Sequence, residues 1–278
     1  KLQMAFVTTN SICQGEQVAI LWPHIFSKGL EIIFAHQSFK WTNNAKWNAG
    51  VTCVVVGVSS KSTTDKKLFY DGICKSVENI NAYLIEGSNS TIVRKRAKPL
   101  SNLSLMTKGN MPYDGGNFSL TTSDKDSLID KFPESRQFVK RLLGAREFIH
   151  GLERWCIWIP DNKEQVALSI PPIKKRVEAV KKMRLSSTDL AANKLADRPH
   201  QFREVNEPTD RSIIVPSVTS ERRDYVPMDF LDDSCIVTNL AFVIYNADCY
   251  LLSVLSSRIH MTWVRTVAGR LKTDYRYS

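Results

Sequence analysis

Apolar positions along the chain follow two rhythms, and the change between them divides it. Over residues 1–85 the apolar runs are nearly continuous. MAFVTT (4–9), LEIIFAH (30–36) and VTCVVVGV (51–58) are short, rich in β-forming residues, and read as strands. The stretch between the first two predicts a helix over Glu16–Ser27, with Asn10 or Ser11 as its cap, a kink at Pro23 and an end at Gly29. A polar loop with Phe39, Trp41 and Trp47 separates the second and third strands, and LFYDGI (68–73) follows as a short strand or edge. Strand, helix, strand, loop, strand, with apolar strands of this kind, is how half of an α/β sheet covered on both faces reads.

INAYLIEG (80–87) leads into shorter elements broken by turns, the pattern of a mixed α+β region. TIVRKRAKPL (91–100) is basic and extended up to Pro99, Tyr113–Phe118 is a turn, and Ser123 is a candidate cap for a helix near Lys125–Lys131. Ser135–Leu143 reads as helical up to Gly144, and RWCIWIP (154–160) as a buried strand. After Pro171-Pro172, Ile173, Val177, Val180 and Met183 make one apolar stripe opposite a lysine and arginine face. That predicts a packed surface helix, with phosphate contacts as the second reading. SIIVPSV, DYVPMDF, CIVTNLAFVIYNA and CYLLSVLSS add strands and a helix start. In the final stretch Ile259, Trp263 and Val267 recur at helical spacing with Arg258 and Arg265 on other faces, so an amphipathic helix is expected, ended by Gly269 as a C′ glycine.

With 278 residues, 43% of them hydrophobic, the chain can bury the cores of one large or two ordinary domains. Its net charge of +10 clusters at Arg94–Lys98, Lys174–Arg184 and the C-terminal stretch, which favours a polyanionic partner, nucleic acid above all. The six cysteines form no C-x-x-C pair and sit mostly in apolar runs. They read as reduced core thiols of a cytoplasmic protein, not as a zinc site or disulfide frame. No membrane span or signal peptide is visible, and a strand beginning almost at Lys1 suggests a piece of something longer.

Catalytic chemistry is mostly missing. Neither G-x-G-x-x-G, nor the P-loop pattern, nor a G-x-S-x-G elbow occurs, and the five histidines have no metal-ligand spacing. Asp161-Asn162-Lys163 has the D-x-K shape of metal-dependent nucleases but is a turn by composition. Base-reading chemistry is legible only at the end, where Arg270, Lys272 and Arg276 interleave with Tyr275 and Tyr277, and Asp274 stands two residues beyond Lys272. Two such side chains point the same way from an extended backbone. Lysine matches the O6/N7 acceptors of guanine and aspartate accepts from the N4 amine of cytosine, so the pair would read one G·C couple. A solvated basic terminus is the competing reading.

TTNSICQGEQVAILWP, FAHQSFKWTNNAKWNAGVTCVVVG, LLGAREFIHGLERWCIWI, VPSVTSERRDYVPMDF and RIHMTWVRTVAGRLKTDYRYS follow one another from Met4 to Ser278. Together they resemble the MmeI-like enzymes, fused type IIL restriction-modification proteins with nuclease, N6-adenine DNA methyltransferase and target recognition domains in one polypeptide. The resemblance implies the C-terminal part of a Rossmann-like methyltransferase sheet over residues 1–85, followed by a target recognition domain over 86–278. The Asn-Pro-Pro-aromatic strand, the S-adenosylmethionine loop and a nuclease using Mg would lie upstream in the same polypeptide, and a helical domain downstream. This stretch alone would then catalyse neither reaction.

The resemblance also implies roles. Phe39 and Trp41 would stack on an extruded adenine, or else pack under their own loop. Lys272 and Asp274 align where relatives carry K-x-D or E-x-R as the recognised base pair is reversed. Arg276 would contact a base or a phosphate, and Asn239, in the strand-like run before Ala241, would suit adenine N6/N7. Arg94, Lys95, Arg96 and Arg270 are the phosphate candidates. Double-stranded DNA is the partner implied. An RNA-binding module and a protein-interaction domain whose charge is incidental stand as alternatives.

Overall fold

A computed structural model describes residues 3–41, 51–61 and 64–277. The chain forms two compact units that are not consecutive in sequence: one takes residues 1–98, 218–225 and 257–278, the other 99–217 and 226–256.

In the first unit, strands β1 (Gln3–Thr9), β2 (Leu30–Lys40), β3 (Thr52–Ser60), β4 (Lys66–Tyr70) and β5 (Ile73–Val77) form a sheet in the order β1-β3-β2-β4-β5. Only β2 and β4 pair in parallel. The apolar run of β3 is buried almost throughout because it lies between β1 and β2. Helix α1 (Glu16–Ser27) lays Val18 and Trp22 on Ile32, Ala35, Val54, Val56 and Val58, and Trp22 Nε1 donates to Ile12 O at 2.6 Å.

Several local expectations change. Asn10 and Ser11 do not cap α1; they lie in a 3-10 turn, Asn10–Cys13, where the Asn10 amide is buried and donates to Gln14 Oε1 at 3.0 Å. The cap is Gly15, in the left-handed region at φ 63. Gly29 ends the helix as expected, at φ 70 with its N–H on Phe26 O. LFYDGI is not one strand but a hairpin, with Asp71 and Gly72 both left-handed as a two-residue type I′ turn requires. Strand β2 runs past His36, so Phe39 pairs with Cys53 beyond an irregularity in the ladder instead of standing in a loop. Trp47 lies outside the described residues.

The second unit holds two four-stranded sheets. One is antiparallel, in the order Asp229–Asp232, Arg211–Pro216, Ala241–Tyr245, Met106–Lys108. The other runs Cys235–Val237, Val139–Leu143, Trp155–Ile157, Ser119–Leu120. The helix expected over Ser135–Leu143 is instead a 3-10 turn, Pro133–Phe138, and a strand. Val139–Leu143 finds ladder partners on both sides, and that pairing overrides local helical preference. Thr121, not Ser123, caps the helix Thr122–Lys131, in a reciprocal box with Asp124. CYLLSVLSS supplies the helix Cys249–Leu255. Asp161 is a structural anchor, 3.0 Å from Nε2 of the buried His200.

Helix Pro171–Leu185 buries Ile173, Val177 and Val180 as its stripe predicts. Arg184, expected on the solvated face, is fully buried. Its guanidinium donates to the carbonyls of Pro112, Tyr113, Leu195, Arg198 and Gln201 at 2.7–3.3 Å, tying three segments together without a carboxylate. Among the described residues no helix is long and apolar enough to cross a membrane.

Arg184→Met removes five hydrogen bonds, leaving the Leu195 and Arg198 carbonyls with only their backbone partners, and should destabilise the unit by about 3–5 kcal/mol, read as a lowered urea midpoint, whereas Lys182→Met on the exposed face should change it by less than about 0.5 kcal/mol. Cys13, Cys53, Cys156 and Cys235 are buried while Cys74 and Cys249 are exposed. Burial pushes the Cys13 thiol up to about 12, and Cys156 further in the same direction, so neither forms thiolate near neutral pH. Iodoacetamide on the native protein should therefore label Cys74 and Cys249 only, with the other four appearing by mass spectrometry once the chain is unfolded.

Candidate nucleic-acid interface

The end of β2 opens onto a cavity of about 840 Å³ within the first unit. Phe39 lines it and remains 37% exposed, whereas Trp41 is 44% exposed and is not part of the lining. His36 and Phe69 stack at 4.2 Å, nearly coplanar at 7°, and both belong to the lining. Gln37 is fixed by an Nε2 bond to Leu84 O at 2.8 Å. Arg265 and Arg270 complete the cavity. Arg265 donates to Arg223 O at 3.3 Å and lies 3.8 Å from Asp224 Oδ1, so it is held but still half exposed. Aromatic faces beside two guanidinium groups suit a planar ring that carries a phosphate.

The terminal stretch forms the helix Arg258–Val267 and a hairpin of strands Gly269–Leu271 and Asp274–Arg276, extended by Val218–Thr219. The helix buries Met261 and Val264 and packs Val267 on the first unit's core. Ile259 is 84% and Trp263 53% exposed, so of the predicted stripe only Val267 faces inward. Apolar residues occupy two faces of this helix, and tertiary docking selects between them. Gly269 is not a left-handed C′ glycine: Ala268 ends the helix in extended conformation and Gly269 starts the next strand. It lies against Gly15, whose N–H donates to Val267 O at 2.9 Å.

Leu271 pairs with Asp274, which leaves Lys272 and Thr273 as the turn. Lys272 is exposed at the tip with φ 58, so the extended backbone assumed for Lys272 and Asp274 is absent. Asp274 and Arg276 are the pair that share a strand face. Asp274 is half-buried and accepts from the Glu221 N–H at 3.4 Å, while Arg276 is exposed. Arg270 lies 4.4 Å above the Tyr275 ring, donates to Thr273 O at 2.7 Å and sits 3.5 Å from Glu221 Oε2, so it is largely committed within the protein.

The other candidates lie apart from this cluster in the chain. Asn239 belongs to the second unit, in a turn rather than a strand, with its backbone N–H on Asn110 O. Arg94, Lys95 and Arg96 are exposed on an irregular segment of the first unit, Lys95 pairing with Glu16 at 2.7 Å. Sequence reasoning passed over Glu221, which meets Lys40 at 3.3 Å as well as Arg270; the charged run at 221–224 was its only signal. No group of three potential metal ligands occurs among the described residues.

Comparison with known proteins agrees with the resemblance. The family model of the MmeI DNA-methyltransferase domain matches residues 1–70, and that of the MmeI target recognition domain residues 87–278. DNA methyltransferase A of Bacillus subtilis (strain 168) is 48% identical over 277 residues, covering 99% of this chain and 31% of the relative. A solved structure of the type IIL restriction-modification enzyme MmeI in complex with DNA is 36% identical with a TM-score of 0.85, covering 100% of this chain and 38% of that one. The chain thus spans about a third of the length of these relatives. Matched over more than half its residues by the recognition-domain model alone, the chain belongs to the MmeI family and carries a part of that family's methyltransferase domain joined to its target recognition domain.

Proposed function

We propose that this chain recognises a short duplex DNA site for an N6-adenine methyltransferase, with residues 1–85 completing the catalytic domain and 86–278 acting as the recognition domain. The observation that carries this reading is Phe39, an aromatic ring left exposed at the mouth of a cavity that also holds Arg265 and Arg270. An aromatic face stabilises an unstacked base by about 1–3 kcal/mol. That offsets part of the few kcal/mol that extruding an adenine costs. Trp41, exposed two residues on, is the second candidate to stack on that base. Because the MmeI structure it resembles was solved with DNA, duplex DNA is favoured over single-stranded RNA.

In this reading Lys272 at the hairpin tip and Asp274 beside it sense one base pair, with Arg276 on the Asp274 face touching a base or a phosphate. Arg94, Lys95, Arg96 and the partly committed Arg270 serve the backbone, and Asn239 addresses a second position from the other unit. S-adenosylmethionine would be held by other parts of the polypeptide, and any Mg-dependent cleavage would belong to a further segment. The location would be cytoplasmic.

In the full-length enzyme, Lys272→Glu with Asp274→Arg should move methylation to a site with one base pair reversed, mapped by methylation-sensitive sequencing. Unchanged methylation of the original site would remove these residues from base reading. Phe39→Ala should slow methyl transfer roughly tenfold or more while DNA affinity changes little. Equal losses in both would make Phe39 a packing residue. Replacing Arg94, Lys95 and Arg96 together with alanine should flatten the plot of log affinity against log salt by up to about three units of slope, close to one for each phosphate that is no longer neutralised.

A further inference from the structure

Glu221 occupies a place in the first unit where one carboxylate touches both halves of the proposed site. Its Oε1 is 3.3 Å from Lys40 Nζ, and Lys40 follows Phe39 on β2. Its Oε2 is 3.5 Å from Arg270 Nη1, and its backbone N–H meets Asp274 Oδ1 at 3.4 Å, one contact on each strand of the terminal hairpin. The backbone at Glu221 is itself held in place. It follows Val218–Thr219, which pairs with Arg276 and Tyr275 of that hairpin.

Exposure separates this arrangement from an ordinary surface ion pair. The Glu221 and Arg270 side chains are 29% and 15% exposed, so their attraction is screened less than that of two solvated charges, while Lys40 at 69% is the loose end. Arg270 is also fixed by the Tyr275 ring and Thr273 O, so the carboxylate meets a guanidinium that is already oriented. An acid on a surface meant for phosphates weakens DNA binding by its charge alone. Its contribution must then be geometric.

We infer that Glu221 is a positioning residue that ties the base-reading hairpin to the strand end presenting Phe39. A correct base pair at Lys272 and Asp274 thereby favours the placement of Phe39 that stacks on the extruded base. This rests on the reading of Phe39 and the hairpin proposed above.

The test uses the full-length enzyme and two duplexes of the same sequence: one with 2-aminopurine at the target adenine, whose fluorescence rises when the base leaves the stack, and one with the ordinary adenine, on which the methylation rate is read because 2-aminopurine has no N6 amine. Glu221→Gln keeps the shape and removes the charge. It should leave the dissociation constant equal or tighter, while lowering both the fluorescence at saturating protein and the single-turnover methylation rate by roughly threefold to fivefold, the range of a partly exposed ion pair. Lys40→Met approaches the same link from its exposed end, with little risk to folding, and should reproduce that split. Combined with Glu221→Gln it should add no further loss. Wild-type fluorescence and rate in Glu221→Gln, a loss of binding in proportion to the loss of rate, or additive losses in the double variant would each overturn the inference. Should Phe39→Ala retain wild-type fluorescence and rate, the reading of the site fails and the inference with it. If Phe39→Ala abolishes them and Glu221→Gln does not, only the link fails.

Discussion

The close backbone contact between Gly15 and Gly269 is the constraint on which the candidate site depends. Gly15 is left-handed at φ 63, a conformation that favours glycine, and a Cβ there would be in van der Waals contact, at 3.4 Å, with the Gly269 Cα. The Gly15 N–H, an orphan donor at the start of α1, is satisfied by Val267 O at the end of the last helix. With that helix seated, Val267 reaches the core of the first sheet, and Arg265 and Arg270 reach the cavity that Phe39 lines. The site is thus assembled from segments far apart in the chain.

Charge in this region is arranged more tightly than the net value of +10 suggests. Arg265 is held by Asp224 and a backbone carbonyl, and Arg270 by Glu221, a carbonyl and an aromatic face. Lys272 differs, standing exposed at a turn where its φ of 58 is one that lysine rarely adopts. A residue there in the left-handed region costs on the order of 1 kcal/mol, which glycine would avoid. The same charge type has a third use in Arg184, where burial against five carbonyls makes a guanidinium a structural hub. Its pKa is lowered by that desolvation and by the nearby Arg198 charge, which together outweigh the opposing pull of Asp114.

Elements whose signal is local were legible from the chain. Helix α1 and the helix Pro171–Leu185 declared themselves by period and punctuation, as did the left-handed Gly29 and the apolar run of β3. Failures came where a partner distant in sequence decides. Val139–Leu143 has a helical neighbourhood but two ladder partners, Phe39 has a loop composition but a strand partner in Cys53, and Asp71-Gly72 is a turn signal masked by the apolar residues around it.

By itself, then, the sequence determined the apolar strands, the best-punctuated helices, the basic character and the family, because composition, period and ordered motifs are properties of neighbours along the chain. The tertiary structure alone decided which face of the last helix is buried, that Lys272 sits on a turn and not on a strand, that Arg184 is structural, and that Glu221 meets Lys40, Arg270 and Asp274. Each of those outcomes depends on what the folded chain brings within a few ångströms, and no spacing along the sequence encodes that distance.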